Sequence, residues 1–174
     1  MHNSKNSLTK KTVRLVLNFL NWLNLFGNKS YDQYDFWASD YGMLSKKIFY
    51  SNKIIGIPMV LPFVFLDNFS PSSRRFVHHK TRFPIADAHY AMGFLNLYKL
   101  TNREKYLDVS DMFLQSLVQS SIKLQNGISW GYPFNWQTSW GIYSKNTPLI
   151  TTTPYCLEAF IEYNKHSSKE KYEK

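Results

Sequence analysis

PIADAHYAMGFLNLYKLTNREKYLDVSDMFLQSLVQSSIKL, residues 84 to 124, is the stretch on which the fold class turns. Pro84 suits a first helical position, where its missing N–H is not needed, and Asp87 falls in the first turn, at the positive end of the helix dipole. Between residues 85 and 100, Ile85, Ala88, Met92, Phe94, Leu95, Leu97 and Tyr98 point to nearly every side, so the spacing predicts a helix covered all round. TNREK, residues 101 to 105, makes a turn in which Asn102 caps a following helix that runs to about residue 124. Leu107, Leu114, Leu117 and Val118 share one face of that helix, with Asp108, Asp111, Gln115 and Gln119 elsewhere, the pattern of a half-exposed helix. An inner helix, a short turn and an outer helix make an αα-hairpin.

Helical signals continue on both sides of this hairpin. In VRLVLNFLNWLNLF, residues 13 to 26, the residues Lys11, Arg14, Asn18, Asn21 and Asn24 form one polar stripe opposite Val13, Leu17, Leu20, Trp22 and Leu23. That is an amphipathic helix, which either packs on the body or lies on an anionic membrane surface. Residues 31 to 50 read as a second helix, with Asp32, Asp35 and Asp40 early and Lys46 and Lys47 late, the order the dipole favours. The apolar run over residues 54 to 66 is too short to span a bilayer, and Pro58 and Pro62 predict a buried, extended or kinked segment. Downstream, Asn126 and Gly127 end the hairpin, and ISWGYPFNWQTSWGIYSKNT, residues 128 to 147, reads as a long ordered loop. Thr153 and Pro154 then cap and open a last helix reaching about residue 163. With no sustained alternating strand pattern, the chain reads as all-α. Its parts are a basic amphipathic helix over residues 1 to 30, a body over 31 to 164, and a charged tail over 165 to 174.

The charge narrows the function classes. The chain of 174 residues carries a net +9, but residues 1 to 14 hold +4, residues 165 to 174 hold +2 and residues 74 to 82 hold +4, so the remainder is −1. No nucleic-acid fold signature accompanies the basic ends, and a nucleic-acid partner is not expected. The single Cys156 excludes an internal disulfide and a multi-cysteine zinc site, which fits a reducing, cytoplasmic compartment. His78 and His79 are adjacent rather than four apart, so neither a metal site nor a cofactor is expected. The 13 Phe, 12 Tyr and 5 Trp exceed what a core of this size needs, and they imply a surface or cavity lined with rings.

RFPIADAHYAMGFLNLY (82 to 98), EKYLD (104 to 108), WGYPFNWQT (130 to 138) and TPLITTTPY (147 to 155), in this order, resemble the N-terminal part of α/α-toroid proteins of bacterial polysaccharide gene clusters. Those proteins are related in fold to six-hairpin glycosidases, sugar epimerases and lyases. The resemblance covers residues 31 to 164, and it implies αα-hairpin repeats in an incomplete toroid, with carbohydrate binding or processing as the function. Such toroids have about six hairpins, whereas this chain supplies three at most. It is therefore expected to be the N-terminal portion of a longer protein, with an open last repeat that favours self-association.

Sugar recognition needs flat rings for the C–H face of a pyranose and amides or carboxylates for its hydroxyls. Trp130, Tyr132, Trp136 and Trp140 are the stacking candidates, and Asn135 and Gln137, alternating with them, the hydroxyl readers; alternatively these rings plug the mouth of the toroid. Asp87 is the candidate general acid or base, followed on the same helix by His89 and Tyr90 as catalytic candidates. The plainer alternatives are a carboxylate completing a helix end and a hydrogen-bonded core histidine. Arg82, with Arg74, Arg75 and Lys80, forms a loop patch able to hold the acidic groups of a glycan or simply to remain solvated. Two functions stay open: an enzyme acting on a polysaccharide or oligosaccharide, and a non-catalytic carbohydrate-binding or assembly module, with residues 13 to 26 as its contact to a membrane surface.

Overall fold

The computed structural model describes residues 2 to 32, 34 to 167 and 172, with side chains described from residue 10 onward. The chain is mostly helical. In order come α1 (His2–Phe26), α2 (Asp35–Ala38), α3 (Asp40–Ser51), α4 (Lys53–Phe69), a 3-10 turn (Pro71–Phe76), α5 (Pro84–Thr101) and α6 (Glu104–Ser120). Two small antiparallel hairpins follow, β1 (Ile122–Leu124) with β2 (Gly127–Ser129) and β3 (Trp136–Thr138) with β4 (Gly141–Tyr143), and α7 (Thr153–Asn164) closes the described body.

The core lies between α5, α6 and α7. Phe94, Leu95 and Leu97 of α5 meet Tyr106, Phe113, Leu114 and Leu117 of α6, while Cys156, Ala159 and Phe160 close the layer from α7. Phe94 and Phe113 stack at 6.0 Å between centroids, and the Ser110 hydroxyl donates to the Ala91 carbonyl across the helix pair at 2.8 Å. Asn102 ends α5 in the left-handed conformation, at φ 52°, with its N–H on the Tyr98 carbonyl. It thus caps the helix before it rather than the one after it, because asparagine tolerates positive φ with little strain. The expected full cover of α5 is also incomplete: His89, Gly93, Asn96 and Leu100, spaced as one helical stripe, stay exposed. The amphipathic α1 packs through Leu23, with Val13, Val16, Leu17, Phe19 and Leu20 against the same core, and its Lys11, Arg14, Asn18, Asn21 and Asn24 stripe faces water.

Three further expectations are corrected. The helix expected over residues 31 to 50 is two, because Ser39 interrupts it: its hydroxyl donates to the Phe36 carbonyl and accepts the Gly42 N–H, ending α2 and capping α3 in one residue. Residues 54 to 66 are neither extended nor buried. They belong to α4, which Asn52 caps by accepting the Ile54 and Ile55 N–H groups, and within it only Gly56 is buried. Pro58 and Pro62, four residues apart, share its exposed side, where their rings meet no neighbouring helix. Finally, the helix expected to reach residue 124 stops at Ser120, and the expected long loop holds both β-hairpins. Strands of three residues are too short for alternation to register in a sequence pattern.

Candidate functional site

The aromatic segment divides between core and cleft. Trp130 is fully buried, its indole N–H donating to the Leu117 carbonyl at 2.8 Å and its ring lying 5.9 Å from that of Phe160. It is therefore a core residue with no face to offer a sugar, which corrects its expected role as a stacking platform. Thr153 pins it in place, because its hydroxyl meets both the Trp130 N–H at 3.1 Å and the Trp130 carbonyl at 3.2 Å. That use of Thr153 leaves Thr152 to precede α7 as its N-cap residue. Gly131 fits directly against the Thr147 carbonyl, where an added Cβ would sit 2.0 Å from the oxygen.

Beyond Gly131 the chain swings outward and builds a cleft of about 220 Å³. Its walls are Tyr132, Phe134 and Trp136, joined by Asp32 and Tyr34 from the segment before α2 and by Phe83 and Ile85 from the start of α5. The rings support one another. Tyr132 and Phe134 are parallel with centroids 5.3 Å apart, Tyr34 stacks on Phe134 at 6.3 Å, and Trp136 stands edge-on to both Tyr34 and Tyr132. Behind Tyr34 the Lys46 ammonium lies 5.6 Å from the ring centroid, and its desolvation pulls the Lys46 pKa down. Asp32 is half-buried and is fixed by local bonds, accepting the Tyr34 N–H at 2.9 Å while its own N–H donates to Asp35. Asp35, in turn, is buried beside the His78 imidazole at 3.3 Å, and burial raises its pKa.

The other expected binding residues lie outside this wall. Trp140 sits 93% exposed at the turn of the β3–β4 hairpin, and Asn135 is exposed with its side-chain oxygen accepting the Lys145 N–H. Gln137 is buried, donating to the Thr138 carbonyl, while its Oε1 has no partner among the described residues. As hydroxyl readers at the cleft, Asn135 and Gln137 are thus corrected: Asn135 is engaged by Lys145, and Gln137, next to Trp136 in β3, alternates to the other side of the strand.

The catalytic candidates do not converge on the cleft either. Asp87 is buried in the first turn of α5, where its carboxylate accepts from Arg82 Nε at 2.7 and 3.0 Å and from the Ser116 hydroxyl at 3.0 Å. Burial raises its pKa despite these partners. Such a group ties α5 and α6 to the segment that leads into α5. His89 is exposed, its ring 5.2 Å from that of Tyr155 on α7. Tyr90 is wedged between Phe19 of α1 and Phe113 of α6, and burial raises its hydroxyl pKa. None of Asp87, His89 and Tyr90 lines the cleft.

Arg82, with its Nε engaged by Asp87, borders a separate shallow depression together with Lys29 and Lys80. The reciprocal backbone bonds between Ser30 and Thr81 bring these segments together. The Cys156 thiol is buried, and desolvation with the nearby Asp87 charge pushes its pKa up to about 12, which leaves it protonated and inert. Among the described residues there is no group of three or more His, Cys, Asp or Glu arranged to hold a metal ion. Asp32, Tyr34, Phe83, Ile85 and Phe134 escaped the sequence reading, since nothing local marks residues about 50 and 100 positions apart as neighbours.

Comparison of the chain with protein-family models, with curated proteins and with solved structures finds no match.

Proposed function

We propose that the chain is a carbohydrate-binding module that takes a sugar unit of a polysaccharide or oligosaccharide in the cleft between Asp32, Tyr34, Phe83, Tyr132, Phe134 and Trp136. The observation that carries this proposal is the cleft itself, a concave site of about 220 Å³ built almost wholly of rings with one carboxylate on its rim. Rings supply the apolar faces on which a pyranose stacks, and Asp32 supplies the acceptor that its hydroxyls need. Binding is favoured over processing because glycoside hydrolysis requires two carboxyl groups about 5 to 9.5 Å apart across the bond. Asp32 is the only carboxylate among the cleft-lining residues.

On this reading α5 would be an inner helix, α6 an outer one and α7 the next element of an α/α-toroid arc. At the far end of that arc, Tyr155, Leu157 and Ile161 of α7 are exposed apolar residues, the surface through which the chain would self-associate. The test is glycan-array binding of Trp136→Ala. The variant is expected to lose array signal by about tenfold or more with unchanged far-UV circular dichroism, as removal of a stacking platform predicts. Unchanged binding by a folded variant would remove the cleft from the proposal.

A further inference from the structure

Helix α4 presents an unusual surface. Ile54, Ile57, Leu61, Phe65 and Phe69 recur at helical spacing along one side, and their exposure runs from 47% for Ile57 to 86% for Ile54. The opposite side packs on α3, with Gly56 so close that an added Cβ would lie 2.1 Å from the Phe49 Cα. The exposed half is thus a convex apolar ridge rather than a groove, and water is a costly neighbour for it.

We propose that this ridge docks the protein on an anionic lipid surface, lying in the headgroup region of one leaflet. Length and charge select that occupant. At 17 residues α4 is about 25 Å long, short of the roughly 30 Å hydrocarbon core, and no described helix is long and apolar enough to cross a membrane. Residues 40 to 80, which carry the ridge and its flanks, hold six basic against two acidic side chains. Of these, Asp67 and Arg74 pair with each other and cancel. Lys53 is exposed at the start of the ridge and Arg75 just beyond its end, so a cation stands at either end of the apolar surface where lipid phosphates would lie. Tyr41 and Tyr50 on α3 are exposed rings of the kind that settle at a membrane–water boundary. A second copy of the chain would bring the same cations face to face, whereas an anionic leaflet complements them. This docking does not depend on the aromatic cleft.

The test is co-sedimentation of the full chain with vesicles of phosphatidylcholine alone and of phosphatidylcholine mixed with phosphatidylglycerol. The full chain is expected to pellet with the mixed vesicles and about tenfold more weakly with phosphatidylcholine alone. A Leu61→Ser, Phe65→Ser variant should lose about tenfold in partitioning while keeping its far-UV spectrum, since both side chains are exposed. A Lys53→Glu, Arg75→Glu variant should lose the preference for anionic lipid. The proposal fails if the unaltered chain stays in the supernatant with both vesicle types, or if neither variant changes its binding. It fails equally if the ridge instead drives a lipid-free dimer that the serine variant dissociates.

Discussion

Helices α4 and α5 are nearly equal in length, 17 and 18 residues, and both are strongly apolar, yet one buries a single residue and the other seven. Helix α5 packs against α6, α7 and α1 and turns most of its apolar side chains to the core, leaving one stripe exposed. Helix α4 packs on α3 and, through Phe63 against Trp37, on α2, and leaves its other side as a ridge. Apolar content alone therefore does not fix whether a helix is covered; the surrounding topology decides it.

The largest test of this contrast is a pair of phenylalanines. Phe113→Ala is expected to cost about 3 to 5 kcal/mol of unfolding free energy, because its fully buried ring contacts Phe94 and Tyr90. Phe65→Ala, at 61% exposure, should stay within about 0.5 kcal/mol. Denaturant midpoints compare the two directly, and a similar loss at Phe65 would mean that α4 is covered in the free chain. A smaller effect is expected from Gly56→Ala, which forces the α3–α4 pair apart at Phe49 and should cost about 1 to 3 kcal/mol. A stabilised Gly56→Ala protein would show that the two helices are not held this close in solution.

The smallest effect is electrostatic. Burial raises the Asp35 and Asp87 carboxyls above the ordinary 3.8, so the folded chain holds these protons more tightly than the unfolded one. Their contribution is present in full below pH 3.8 and is lost as pH rises through the folded values. Asp35→Asn should therefore flatten the fall of melting temperature with pH in that window, relative to the unaltered chain. An unchanged slope would place Asp35 in water rather than in the base of the α2 segment.

Much of the helical frame was legible from single residues. Pro84 opens α5, the asparagine stripe of α1 faces solvent, and α6 is half exposed, because helical period and terminal chemistry are properties of neighbours in sequence. The site was legible only in part. Tyr132 and Trp136 line the cleft, but Trp130, six residues before Trp136, belongs to the core. Nothing in the segment distinguishes these rings, since the distinction rests on Thr153 holding the backbone at Trp130 and on Thr147 closing against Gly131. Asp87 read more readily as a carboxylate completing a helix end than as a general acid or base, and its partners, Arg82 and Ser116 of α6, emerge only from the fold.

By itself, then, the sequence determined a helical chain, an αα-hairpin opening at Pro84 and an excess of rings that called for a surface or cavity. Tertiary structure alone decided which rings form the cavity wall, which carboxylate lies on its rim and which apolar helix is left uncovered. The physical reason is range: capping, periodicity and dipole effects act within a few residues, whereas burial and partnership depend on segments that meet only after the chain has folded.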